Sequence, residues 1–261
     1  MSSTENRVKE NYKTGKEDQR ATQSRYSQTE FYYTVKHIGE YITKDTAVLE
    51  IGCGTGYYGM FFSDQYKEYL GVDITLENIA IFKEKIQNSK FTNVRAQIGD
   101  ATDLNKIPDQ SYDVVLCLGP LYHLPSEERE LVFRECQRVC KDGGIAVFSY
   151  INQAGVYAGA CIFGSFYPNE KANEMVLGLG KDDTRPDLFF YTMPEEMETV
   201  AKKHGFCKIK NLGTDFFIFL NVINGMNDEK FALLKPLLDQ MTSHESCTGM
   251  SNHAVLVCRK D

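Results

Sequence analysis

The stretch that constrains this chain most is Val48-Leu49-Glu50-Ile51-Gly52-Cys53-Gly54-Thr55-Gly56. Ala47 to Ile51 is an apolar run with the length and composition of a strand buried on both faces of a parallel sheet. Three glycines at alternate positions end it, and Tyr57 to Tyr66 then reads as an amphipathic helix. Glycine is required where backbone turns sharply and where a ligand lies against it with no Cβ between them. The helix behind the loop offers unpaired N–H groups and the positive end of its dipole. Strand, glycine loop and helix in this order make a nucleotide-binding turn and leave open which nucleotide.

Two readings fit the turn. Gly54-Thr55-Gly56-Tyr57-Tyr58-Gly59 satisfies GxGxxG, and Asp73 lies at about the distance expected of a ribose-binding carboxylate in a dinucleotide fold. Glu50, inside the strand, speaks for a different ligand. A pyrophosphate has no use for a negative charge there, whereas a cationic ligand does.

The rest of the chain alternates strands and helices. Short strands are expected at Glu68 to Val72, Val94 to Ile98, Tyr112 to Leu118 and Ile145 to Tyr150, the last entered through a turn at Asp142-Gly143-Gly144. Thr75 to Ser89 reads as a helix with Ile79, Phe82 and Ile86 facing inward, and Ser126 caps another whose Glu127 and Glu128 oppose its dipole. Ahead of the loop, Phe31, Val35, Ile38 and Ile42 form one helical stripe, with Ser27 and Glu30 as a capping box. Residues 151–191 break the rhythm; a forty-residue stretch without period belongs to a functional cap if the domain is compact. A second capping box, Thr192 with Glu195, opens a helix to Lys203 that Gly205 stops, and a strand follows from Phe206 to Leu212. A second insertion carries a helix marked by Leu234, Leu237, Leu238 and Met241, and Ala254 to Cys258 closes the chain as a strand. This alternation specifies a doubly wound, mostly parallel sheet.

Four ordered markers resemble the class I S-adenosylmethionine (SAM) methyltransferase family. They are the E-x-G-x-G-x-G loop at Glu50 to Gly56, Asp73, Gly99-Asp100-Ala101, and Leu118-Gly119-Pro120-Leu121-Tyr122-His123-Leu124. The acidic residue after the third strand discriminates against a nicotinamide enzyme. The resemblance covers residues 45 to 150 and, more weakly, the remainder. It implies an α/β fold with a doubly wound, mostly parallel seven-stranded sheet, one antiparallel strand, helices on both faces and helical or irregular cap insertions. Residues 1–45 would form an N-terminal lid segment and helix. Residues 46–261 would form the methyltransferase domain, with cap insertions at about 151–191 and 214–250.

Carried over position by position, the family's roles give SAM as cofactor and S-adenosylhomocysteine as product. Glu50 would hold the amino-acid part, Gly52, Cys53, Gly54 and Gly56 would carry the cofactor on their backbone, and Asp73 with Ile74 would take the ribose. Asp100 and Ala101 would face the adenine, and Leu118 and Gly119 would line the methionine end. His123 is placed as the sole histidine on a cofactor-side loop, either as a general base or as a brace for the loop, and Tyr122 as a wall of the acceptor chamber together with the aromatics of 157–167. For residues 1–27 the sequence allows a lid over the cofactor or a disordered tail.

A formal charge of −7 disfavours nucleic acid and anionic membrane as partners, since binding phosphate normally takes a basic face. The eight cysteines include no C-x-x-C pair, and Cys136 with Cys140 reads as structural; no metal is expected, and scattered thiols fit a reducing cytoplasm. The activity expected is methyl transfer to a small-molecule acceptor. Methylation of protein or RNA, or a SAM-binding regulatory or structural role without turnover, are the alternatives. The identity of the acceptor and the oligomeric state are not encoded in these motifs.

Overall fold

A computed structural model describes residues 3–13, 17–163, 189–216 and 220–261, with helical positions at 170, 174, 177 and 178 between them. The sheet is built from β1 (Ala47–Ile51), β2 (Glu68–Asp73), β3 (Val94–Ile98), β4 (Tyr112–Cys117), β5 (Cys140–Asn152), β6 (Tyr191–Thr192), β7 (Phe206–Gly213) and β8 (His253–Lys260). Its order is β3-β2-β1-β4-β5-β8-β7, with β6 pairing β5. All pairings are parallel except those of β8, which runs antiparallel to both β5 and β7. The expected single antiparallel strand is therefore present, and the two-residue β6 makes the sheet eight-stranded rather than seven-stranded. The order reverses between β1 and β4, and a doubly wound sheet opens its ligand crevice at such a point, beyond the carboxyl ends of the strands.

Period-two alternation explains how one sheet supports two cores. Leu49 and Ile51 of β1 join Val115, Cys117, Phe133 and Phe148 on one face. Val48 joins Tyr69, Phe82, Val114 and Val147 on the other. Cys136 and Cys140 are buried among the apolar side chains of the first core. Helix α5 (Leu76–Gln87) buries Ile79 and Phe82 as its spacing demands, while Ile86 is only half-buried.

Several boundaries differ from the sequence reading, each for a local reason. Strand β5 starts at Cys140 and runs through Asp142-Gly143-Gly144, where Gly143 takes φ 72° and the pairing register shifts, so the expected turn is absorbed as a bulge. Helix α3 (Arg25–Gly39) begins earlier than its proposed box. Ser24 caps it by accepting from the Ser27 N–H at 3.1 Å, and Glu30 instead receives Arg20 at 3.0 Å. The buried face of α3 is Tyr26, Thr29, Tyr33, Thr34, His37 and Ile38, while Phe31 turns toward Tyr58. Glu196, not Glu195, closes the second box, accepting from the Met193 N–H at 3.1 Å ahead of α8 (Pro194–Lys203); Thr192 is still in β6. Pro125 rather than Ser126 occupies the cap position of α6 (Ser126–Val139).

Of the first insertion, Gln153–Phe163 forms helix α7, and residues 164–169, 171–173, 175–176 and 179–188 lie outside the described residues, Phe166 and Tyr167 among them. The second insertion contributes α9 (Leu220–Asn224) and α10 (Asp228–Met241). Their side chains Ile223 and Leu238 pack with Phe216 against Tyr26 and Tyr33 of α3. This insertion therefore buttresses α3, which in turn walls the crevice.

Candidate active site

The glycine loop sits at the carboxyl end of β1 with three left-handed residues: Gly52 at φ 75°, Gly54 at 53° and Gly56 at 81°. Each is needed for a different reason. A Cβ on Gly52 would stand 2.6 Å from the Pro120 ring, and one on Gly56 would stand 2.2 Å from Phe82. A Cβ on Gly54 would meet nothing within 4 Å, because it would point into the crevice. Two of the glycines thus permit close packing, and the middle one leaves a cradle open. The Gly52 and Cys53 N–H groups donate to Val72 O at 2.8 and 3.0 Å, tying the loop to β2.

Asp73 ends β2 and lies 8% exposed in the same crevice. Its Oδ2 accepts the Gly54 N–H at 2.9 Å, and its Oδ1 accepts the Thr75 N–H at 2.8 Å ahead of α5. The carboxylate therefore holds the glycine loop and the helix start together; Oδ1 also takes the Asn78 amide at 3.4 Å, whereas Oδ2 accepts one hydrogen bond and retains a lone pair. Asp100 is anchored similarly, accepting from the Thr102 N–H and hydroxyl at 2.8 Å each. Ile74, Ala101, Leu118 and Gly119 stand along the same wall.

Glu50 projects from β1 on the face that carries Val48, is 1% exposed, and accepts a hydrogen bond from the Tyr69 hydroxyl of β2. Burial pushes its pKa up to about 8 despite that bond, and the Asp73 charge adds to the rise. No ion pair joins Glu50 to a Lys, Arg or His among the described residues. Its ionised form has a strong electrostatic demand for a cation in the crevice.

The crevice is one cavity of about 480 Å³, which Glu50, Asp73, Asp100 and Glu30 border with carboxylates. That charge suits a cationic ligand and opposes a pyrophosphate. Tyr122 and His123 lie in a 3-10 turn, Pro120–His123, beyond β4. His123 is 5% exposed, with its Nε2 2.8 Å from the Tyr12 hydroxyl and its ring against Tyr122 and Phe189 at 4.6 and 5.1 Å. The N-terminal segment supplies that hydroxyl. Helix α1 (Ser3–Tyr12) brings Val8 and Tyr12 to the cavity, and α2 (Glu17–Arg20) brings Arg20. Asp18 pins α2 down, pairing with Lys85 through its carboxylate and receiving the Tyr57 hydroxyl at its carbonyl.

One cluster escaped the sequence reading, which placed His123 as the sole histidine at the crevice. His253 lines it too, with Glu30 and Arg20. Its Nδ1 lies 2.7 Å from Asp215 Oδ2 and 3.9 Å from Glu30 Oε2. The signal was available: if the final strand is antiparallel, its first residue stands at the carboxyl edge of its parallel neighbours. Glu30, Asp215 and His253 each place one potential ligand atom within 4.8 Å of the others. The guanidinium of Arg20 on Glu30 already supplies that cluster with a cation.

A family model described as a methyltransferase domain matches residues 48–144. An uncharacterized methyltransferase, YcgJ of Bacillus subtilis, is 38% identical over 97 residues, 37% of this chain and 37% of that protein. A ubiquinone biosynthesis O-methyltransferase of Coxiella burnetii is 30% identical over 120 residues, 46% of this chain and 50% of the other. The chain thus spans half or less of the length of these curated relatives. The crystal structure of a SAM-dependent methyltransferase from Methanosarcina mazei superposes with a TM-score of 0.58 at 16% identity, over 86% of this chain and 96% of that one, which is a likeness of fold. Among the described residues no helix is long and apolar enough to cross a membrane.

Proposed function

We propose that this chain, whose residues 48–144 match a methyltransferase-domain model, is a class I SAM-dependent methyltransferase that transfers the methyl group of SAM to a small-molecule acceptor by in-line displacement. The observation that carries the reading is Glu50, a buried carboxylate facing a cavity with no cationic side chain paired to it. The open cradle over Gly54 fits a ligand lying on the loop backbone.

When bound, the cofactor supplies a methyl carbon already activated by its sulfonium. The chain's residues hold and orient it. Glu50 balances the positive charge of the amino-acid end, Asp73 and the Ile74 backbone accept the ribose, and Asp100 with the Ala101 N–H faces the adenine. Cys53 and the three loop glycines give the backbone surface, and Leu118 with Gly119 flanks the methionine end. Alignment of donor and acceptor is the main contribution asked of the protein. Residues 1–45 serve as lid and helix over this site, with Tyr12 closing on His123. His123 acts as the brace of the 120–124 loop, since its Nε2 is already engaged, and Tyr122 walls the acceptor side.

Calorimetry tests the cofactor assignment. SAM and S-adenosylhomocysteine should both bind, and Asp73→Ala should weaken each by roughly 1–3 kcal/mol through the lost charged hydrogen bonds. Binding of NADH without any response to SAM would overturn the reading.

A further inference from the structure

The cavity extends beyond the region assigned to the cofactor and ends at a histidine held by a buried carboxylate. We infer that His253, positioned by Asp215, is the base that receives the proton of a phenolic hydroxyl on the methyl acceptor. The inference rests on the cofactor reading above, because it places the acceptor between His253 and the strand end at Leu118 and Gly119.

Topology sets the distance. Strand β8 is antiparallel to β5 and begins at His253, opposite Ile151, while β5 pairs on its other side with β4. Two ladder steps between β4 and β8 amount to about 10 Å, room for one small ring. Aromatic side chains wall the cavity that includes this space: Tyr12, Tyr58 and Tyr122 line it, and Phe31 stacks on Tyr58 at 5.2 Å. Flat apolar walls of this kind suit an aromatic acceptor.

The imidazole is held as a base needs to be. Asp215 is 0% exposed, and its Oδ1 accepts the N–H groups of Asn252 and His253 at 3.0 and 2.7 Å, so the carboxylate cannot swing away. Its Oδ2 lies 2.7 Å from His253 Nδ1, beside the Asn252 amide at 3.0 Å. The carboxylate only accepts and is the nearer and charged neighbour of Nδ1, so it outweighs the Asn252 Nδ2 and in the neutral ring Nδ1 carries the proton while Nε2 keeps the lone pair. Among the described residues Nε2 has no hydrogen-bond partner, and the ring borders the cavity. His123 differs at this point, because its Nε2 meets the Tyr12 hydroxyl.

The charges around the ring favour proton uptake. Asp215 faces it from the segment after β7, Glu30 from α3, and Arg20 of α2 is paired to Glu30; the Tyr26 hydroxyl of α3 faces Asp215. Burial alone lowers the His253 pKa, and the Glu30 and Asp215 carboxylates outweigh it, leaving it above its ordinary value. A base of that strength suits a phenol, which titrates near about 10, rather than the much weaker acid of an aliphatic alcohol. In the step, a lone pair of the acceptor oxygen forms the O–CH3 bond. The C–S bond breaks with its electron pair going to sulfur, and the O–H proton passes to His253 Nε2. The positive charge lost from sulfur reappears on the imidazolium, against two carboxylates.

A chromogenic phenol tests this without turnover. With the full chain saturated in S-adenosylhomocysteine, 4-nitrophenol should bind and its visible spectrum should report ionisation. The midpoint of the bound probe should fall by about 1–2 pH units from that of the free probe, the effect of an adjacent cation. His253→Gln, whose amide can still donate to Asp215, should bind the probe without that fall. Asp215→Asn should bind S-adenosylhomocysteine as the parent does, yet lower the His253 titration midpoint seen by NMR of labelled histidine. An unshifted midpoint in the parent protein, a shift retained in His253→Gln, or no binding of the probe would each overturn the assignment. The parent measurement stands without any variant. If S-adenosylhomocysteine binds and the probe is not ionised, this inference fails alone; if neither SAM nor its product binds, the cofactor reading fails and this one with it.

Discussion

The Tyr12 hydroxyl lies 2.8 Å from His123 Nε2, joining a helix at the start of the chain to the loop that leaves β4, 111 residues away. Helix α1 thereby closes one side of the cavity, with Val8 as its apolar neighbour there.

Tyr12→Phe should therefore loosen the lid more than the fold. A neutral hydrogen bond contributes about 0.5–1.5 kcal/mol net, so cofactor dissociation should quicken by up to roughly tenfold while the melting temperature changes little. Stopped-flow displacement of S-adenosylhomocysteine checks it. Deleting residues 1–16 should enlarge the same effect; unchanged retention would mean that α1 is no lid.

Glu50 offers a prediction in pH. Its folded pKa of about 8 lies above the ordinary 4.5, so between those values the folded protein holds a proton that the unfolded chain has released. Stability of the ligand-free protein should then fall as pH rises across that window, by up to about 1.4 kcal/mol per unit at the steepest. Glu50→Gln should flatten that slope and raise stability at pH 8. It should also weaken SAM and S-adenosylhomocysteine alike, since both carry the ammonium of the amino-acid end that Glu50 balances. Urea titrations across pH, with calorimetry of both ligands, provide the measurement.

The loop glycines should separate folding from binding. Gly56→Ala puts a methyl 2.2 Å from Phe82, and Gly54→Ala puts one into open crevice. Overpacking costs typically 1–3 kcal/mol, and a left-handed alanine about 1–2 more. Gly56→Ala should thus lose several degrees more in melting temperature than Gly54→Ala, which should keep its fold and lose cofactor affinity. Equal thermal losses would show that the middle glycine serves packing as well.

His123→Asn should retain most turnover if the residue braces its loop, and the pH dependence of the rate should keep its shape. A flattened profile with a loss of about 10²–10⁴-fold would instead make it the base.

Local patterning carried much of the fold. Val48, Leu49 and Ile51 are apolar because β1 is buried on both faces, and the alternate glycines follow because the chain beyond that strand takes left-handed backbone. Asp73 and Asp100 could be placed from spacing, since parallel strands of similar length end along one edge. Capping was read less well. Ser24 and Glu196 lie only one to three positions from the residues favoured in sequence, and which hydroxyl or carboxylate reaches the backbone depends on how the chain enters the helix.

The sequence by itself determined the alternation of strands and helices, the glycine loop and the acidic strand ends, because each depends on neighbours within a few residues. Only the tertiary structure decided where the N-terminal helices, the second insertion and the last strand go. Tyr12 and His123, Tyr26 and Leu238, and Asp215 and His253 are paired by packing across long separations, which no local period encodes. The reversal of β8 is the sharpest case. Inserted antiparallel between β5 and β7, it carries its first residue to the crevice edge, so a histidine that looks in sequence like the start of a closing strand becomes a wall of the site.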